Sequence, residues 1–97
     1  MKEHAEWLMK FWHKTYLNRV KVGRKLFPDR PKGYSRTTQM LGNFASNLGT
    51  AMTCRLAGDI RCAQTYEQIA DHIYNRLPKY AKDIADGLGN YDKTIGA

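Results

Sequence analysis

Cys54 and Cys62, the histidines His4, His13 and His72, and the carboxylates Asp83 and Asp86 are residues of this 97-residue chain whose types could make or break bonds. Metal ligation needs Cys, His or carboxylate side chains at close spacing, and covalent catalysis needs a nucleophile beside a base. The two cysteines stand eight positions apart on segments that read as different helices, and no two histidines fall at i, i+4. Cys62 lies near the apolar stripe of its helix and reads as a small buried hydrophobe rather than a nucleophile. Asp83 and Asp86 read as solvated partners of Lys79 and Lys82, four positions before each. Because the chain contains no glycine-rich phosphate loop, nucleophile elbow or calcium loop, the expectation is a protein that is not an enzyme and holds no metal or cofactor.

Charge neutralisation is the chemistry better supported by the residues. Sixteen Lys and Arg against nine Asp and Glu give a net charge of +7. Residues 1–36 carry ten cations and three anions, whereas residues 37–97 balance at six and six, so the whole excess lies in the first third. An even solubilising coat would not be distributed this way. The densest stretch holds the seven cations Arg19, Lys21, Arg24, Lys25, Arg30, Lys32 and Arg36 against Asp29 alone, interleaved with Phe27 and Tyr34. Cations neutralise phosphates and release counterions, and exposed aromatic rings stack on unpaired bases. These seven, with Tyr34 and the Lys10 and Lys14 stripe, are therefore the expected binding residues for nucleic acid or a nucleoprotein complex. The plainer reading is a solvated loop whose Leu26 and Phe27 tuck beneath the other helices. A helix-turn-helix reader is disfavoured, because the helix after Gly58 presents Glu67 and Asp71 where a groove of phosphates would repel them.

The elements that must position these residues read as helices. At 100° per residue, Trp7, Leu8, Phe11, Trp12, Tyr16 and Val20 fall on one side of residues 1–22 and Glu6, Lys10, His13, Lys14 and Lys21 on the other. That apolar arc is wider than one neighbour covers. Gly23, Pro28, Pro31 and Gly33 then predict a basic loop over 23–34. A second helix over 35–57, capped by Ser35 or Thr37, repeats Leu41, Phe44, Leu48 and Met52 and carries no charge between Thr37 and Cys54. Its opposite face, Gly42, Ser46, Gly49 and Thr53, allows close backbone approach, which predicts a central position. Gly58 and Asp59 predict a tight turn into a third helix over 59–77, and Pro78 opens a fourth over 79–88, stopped by Gly87 and Gly89. Residues 89–97 read as a tail. The expected fold is all-α: one domain, a compact bundle of about four helices, with Trp12, Phe44, Leu48, Tyr66, Ile69 and Ile73 in its core.

Gly58, Asp59, Ala63, Tyr66 and Ala70 together resemble the second half of a tetratricopeptide repeat over thirteen residues. Leu48 and Gly49 lie two positions early for that motif and Pro78 three late, so the segment reads as an ordinary antiparallel helical hairpin. Two cysteines without a second pair predict reduced thiols. Lys2, Glu3, His4 and Glu6 interrupt any apolar leader, and no window of about 18 apolar residues exists, which predicts a cytoplasmic protein with no membrane partner. The alternative function is that of a protein-binding inhibitor or adaptor of the phage or mobile-element accessory kind. It would dock its aromatic first helix on a larger protein or on a second copy as a homodimer.

Overall fold

Helical periodicity is the only regular signal in the sequence, and helices are the only regular structure among the described residues. The computed structural model describes residues 2–89, and among them the chain forms α1 (Lys2–Leu17), α2 (Arg19–Leu26), α3 (Tyr34–Leu56), α4 (Ile60–Arg76) and α5 (Lys79–Gly89), with no strand. The radius of gyration is 13.1 Å, close to the value of about 13 Å for a compact chain of this length. The all-helical class is as expected, but the described residues form five helices where about four are expected.

The difference arises at Asn18 and Gly23. The helix expected over 1–22 bends at Asn18, whose φ of −131° and ψ of 43° are not helical, and then continues through Gly23 to Leu26. Gly in a helix costs about 1 kcal/mol relative to Ala, yet this Gly is buried against α3. A Cβ there would lie 2.9 Å from Thr38 Oγ1 and 3.4 Å from the Tyr34 ring. Close packing thus outweighs propensity, and the connection to α3 shrinks from the expected 23–34 to residues 27–33. Phe27 in it is buried and Leu26, the last residue of α2, packs against the core, as in the plainer reading of this segment.

Helix α3 contacts each of the other four helices. Its face toward α1 includes Gly42 and Gly49. A Cβ on Gly42 would meet Thr15 Cγ2 at 2.9 Å and Trp12 Cε3 at 3.1 Å, and one on Gly49 would meet the Ala5 carbonyl at 3.1 Å. Leu41 and Phe44 join Leu8, Phe27, Ala70, Leu77, Ala81, Ala85 and Leu88 in the core cluster. The N-cap of α3 is Gly33, with φ of +79°, rather than Ser35 or Thr37. The Thr37 hydroxyl is instead 3.0 Å from the Tyr80 hydroxyl of α5, and Thr38 donates to the Tyr34 carbonyl.

Of the expected core, Phe44 is buried; Trp12, Leu48, Tyr66 and Ile73 are half-buried, and Ile69 is 41% exposed. Fully buried alanines at 63, 70, 81 and 85 replace them. Where α4 and α5 each pack on α3, the alanine contacts hold only a methyl group, and larger side chains are pushed to the edge.

The turn between α3 and α4 forms as its residues predict. Gly58 takes φ of +79°, Asp59 N–H donates to the Cys54 carbonyl at 2.9 Å, and Gly58 N–H donates to the Arg55 carbonyl at 3.0 Å, the paired bonds of a Schellman ending. Asp59 then caps α4 by accepting from Cys62 N–H at 3.0 Å. Arg55 and Glu67 brace the same hairpin through two guanidinium–carboxylate contacts. Glu67 is therefore ion-paired rather than presented freely to solvent. Leu77, with ψ of 142°, ends α4 in the extended conformation favoured before Pro78. Gly87 does not stop α5, which runs to Gly89; residues 90–97 of the expected tail lie outside the described residues.

Opposite outcomes are expected for two glycines in helices. Gly42→Ala should destabilise by about 1–3 kcal/mol despite its better helix propensity, because Thr15 and Trp12 occupy the space. Gly87→Ala, with nothing within 4 Å of the new methyl, should stabilise by up to about 1 kcal/mol; urea melts of the two variants check both signs. A second expectation concerns acid. Its hydrogen bond from Arg55 holds the Glu67 carboxyl below its ordinary value, outweighing partial burial. The contribution of the pair is thus present above the unfolded carboxyl value and lost as pH falls through the folded one. Both side chains are more than a third exposed, so at neutral pH Glu67→Gln should lower Tm by no more than about 4 °C. Melts of the two proteins should converge as pH falls below the ordinary carboxylate range.

Candidate anion-binding surface

The ten residues singled out as a binding set occupy α1, α2, the 27–33 connection and the first turn of α3. Lys10 and Lys14 are exposed on α1; Arg19, Lys21, Arg24 and Lys25 on α2; Arg30 and Lys32 in the connection; and Arg36 on α3. This follows from the amphipathic pattern, since a cation with no buried partner must keep its head in water. Arg30 is held at φ of +49° by a turn in which its N–H donates to the Phe27 carbonyl at 2.9 Å.

Tyr34 does not belong to this exposed set. Its ring is half-buried, packs against the core cluster and covers Gly23. A ring used in packing offers no free face to a base. The aromatic residue best placed for stacking is Tyr16, 69% exposed and paired with the Trp12 ring at a centroid distance of 5.5 Å. The i, i+4 spacing of Trp12 and Tyr16 is visible in the sequence. Which of the two would be left in solvent depends on how α3 covers α1.

The structure divides the cations between two open grooves. One, of about 910 Å³, lies along the bend between α1 and α2, where Arg19, Lys21 and Arg24 surround Trp12, Tyr16 and Val20. Arg19 donates to Gln39 Oε1 at 2.9 Å, which ties this groove to α3. The other, of about 440 Å³, brings Lys32 and Arg36 beside His72 and Arg76 of α4 and Tyr80 of α5. Among the described residues no carboxylate lines either groove. Lys10, Lys14, Lys25 and Arg30 line neither and remain on the surrounding surface.

His72 and Arg76 are four residues apart and reach the same groove, an arrangement the sequence pattern missed because both fall outside the basic third. The second groove also adjoins the N-terminal turn of α3, whose helix dipole adds positive potential there. The combination of fixed cations, a histidine and an electropositive helix end can hold a phosphate or carboxylate by charge and hydrogen bonding. On α5, Asp86 acts on Tyr74 of α4 as well as being a candidate partner of Lys82. The nearby Asp86 carboxylate, then burial, raises the Tyr74 hydroxyl above its ordinary value. Lys82 lies over the Tyr74 ring instead, 5.3 Å from its centroid.

Among the described residues no cluster of three or more His, Cys, Asp or Glu is arranged to hold a metal ion, and no helix is long and apolar enough to cross a membrane. Comparisons with protein families, curated proteins and solved structures find no match to this chain.

Placement of Tyr34 makes a specific expectation. Tyr34→Ala should act through the fold, lowering Tm by several degrees as the ring leaves Gly23 and the core. Tyr16→Ala, at an exposed site, should change Tm by no more than about 4 °C. Thermal melts of the two variants separate these roles.

Proposed function

We propose that this protein binds nucleic acid, or the nucleic acid of a nucleoprotein complex, through its basic N-terminal third, by charge and without strong sequence reading. The observation that carries this reading is that all seven cations from Arg19 to Arg36 are exposed. Five of them are gathered into carboxylate-free grooves, Arg19, Lys21 and Arg24 in one and Lys32 and Arg36 in the other. A solvated coat needs only exposure. Concentration of one sign in concave sites raises local potential and attracts polyanions. Arg76 and His72 extend the proposed contact onto α4, and Tyr16 supplies a stacking face for an unpaired base. The proposal involves no catalysis and no cofactor.

A second reading is favoured by Tyr16, Leu17 and Val20, which are 69%, 61% and 54% exposed around the first groove. An apolar patch rimmed by cations also suits an acidic protein surface, so an inhibitor or adaptor docking on a larger protein, or a homodimer through the same patch, is the alternative.

Salt titration distinguishes them. If about four of the seven cations meet duplex phosphates, log affinity should fall with log salt at a slope near −3.6, at about −0.9 per phosphate. Replacing Arg19, Arg24, Lys32 and Arg36 with Gln should flatten the slope and leave helicity unchanged. Tyr16→Ala should weaken single-strand binding more than duplex binding. Absence of salt-sensitive binding to DNA and RNA at low ionic strength would overturn the first reading in favour of the second.

A further inference from the structure

At the opposite end of α3 from Arg36 the two cysteines, read from the sequence as reduced thiols on different helices, face one another. Cys54 lies in the last turn of α3 and Cys62 in the first turn of α4, with their sulfurs 2.9 Å apart in a thiol hydrogen bond. Both are free and half-buried. One residue fixes both backbones: Asp59 donates its N–H to the Cys54 carbonyl at 2.9 Å and accepts from Cys62 N–H through its carboxylate at 3.0 Å. The Arg55–Glu67 pair joins the same two helices. Two sulfurs so held need to approach by less than about 1 Å to reach the bonded distance of about 2.05 Å, within the reach of small side-chain rotations. Residues 56–61, which form the turn around them, are all exposed, so a small molecule can approach.

We propose that Cys54 and Cys62 form a thiol–disulfide site, which a low-molecular-weight disulfide oxidises to an intramolecular bridge across the α3–α4 turn. Cys54, as thiolate, attacks one sulfur of the small disulfide and expels the first small thiolate, which takes up a proton. Cys62 then gives up its proton, attacks the Cys54 sulfur of the mixed disulfide and expels the second. Two protein thiols are oxidised to one disulfide, and one small disulfide is reduced to two small thiols. The hydrogen bond shared by the two thiols, then burial, pushes the Cys62 thiol up to about 11, and the exchange balances in the same way whichever sulfur attacks first. The site lies eighteen residues along α3 from Arg36, about 27 Å at 1.5 Å per residue, and is independent of the basic grooves.

The test equilibrates the purified chain with oxidised and reduced glutathione at graded ratios. Expected results are an intact mass lower by two hydrogens, loss of both titratable thiols, no retained glutathione, and a Tm higher by about 10 °C than that of the reduced protein. The bridge should form at least about tenfold more favourably in the native chain than in guanidinium, where Asp59 no longer holds the pair. Cys62→Ser should retain glutathione on Cys54 and show no rise in Tm. If that variant does not fold, mass and thiol count of the unsubstituted chain decide by themselves. Persistent glutathione adducts on both cysteines, bridges only between two chains, or closure no more favourable in the native state than in guanidinium would overturn the proposal.

Discussion

The close approach of α1 and α2 to α3 is the constraint from which the remaining geometry follows. It requires hydrogen atoms in place of side chains at Gly23, Gly42 and Gly49, because Thr38, Thr15, Trp12, Met9 and the Ala5 carbonyl occupy the space that a Cβ would need. Short interhelical distance increases dispersion contacts along the whole interface. This offsets the weak helix propensity of three glycines. It also explains the bend at Asn18, since α2 can bring Gly23 onto Thr38 and Tyr34 only if it leaves the axis of α1.

Placing a helix with an uncharged middle at the centre keeps charge at its ends and on the surrounding surface. Thr37 to Cys54 contains no ionisable group other than the terminal cysteine, so α3 can be covered by four neighbours without burying an ion, at no desolvation cost. The cations flanking it are kept at the surface. Arg36 begins the basic end, and the 27–33 connection, anchored by buried Phe27 against Tyr80 at a centroid distance of 5.3 Å, holds Lys32 beside Arg36, His72 and Arg76. An apolar anchor within a basic segment thus turns a charged stretch into a shaped surface.

At the other end, the α3–α4 turn shows how one hydrogen-bonding residue sets side-chain chemistry. Asp59 satisfies backbone groups of both flanking helices, and the cysteines meet because they are the residues whose carbonyl and amide it binds. A local motif with ordinary capping energetics therefore fixes a sulfur–sulfur contact.

Helix class, the ends of α3, α4 and α5 to within one or two residues, the Gly58–Asp59 turn and the concentration of cations in the first third are all determined by the sequence alone. Each depends on local spacing, capping chemistry or a charge count, and none requires knowing which segments touch. Tertiary structure alone decided that Gly23 lies inside a helix, that alanines rather than Ile69 fill the α4 contact, and that Tyr34 packs while Tyr16 is free. It also decided that His72 and Arg76 join Lys32 and Arg36, and that Cys54 meets Cys62. Periodicity specifies which face of a helix is apolar. How near a neighbour can approach, and so which side chain on that face is covered, depends on the volumes of both partners at once.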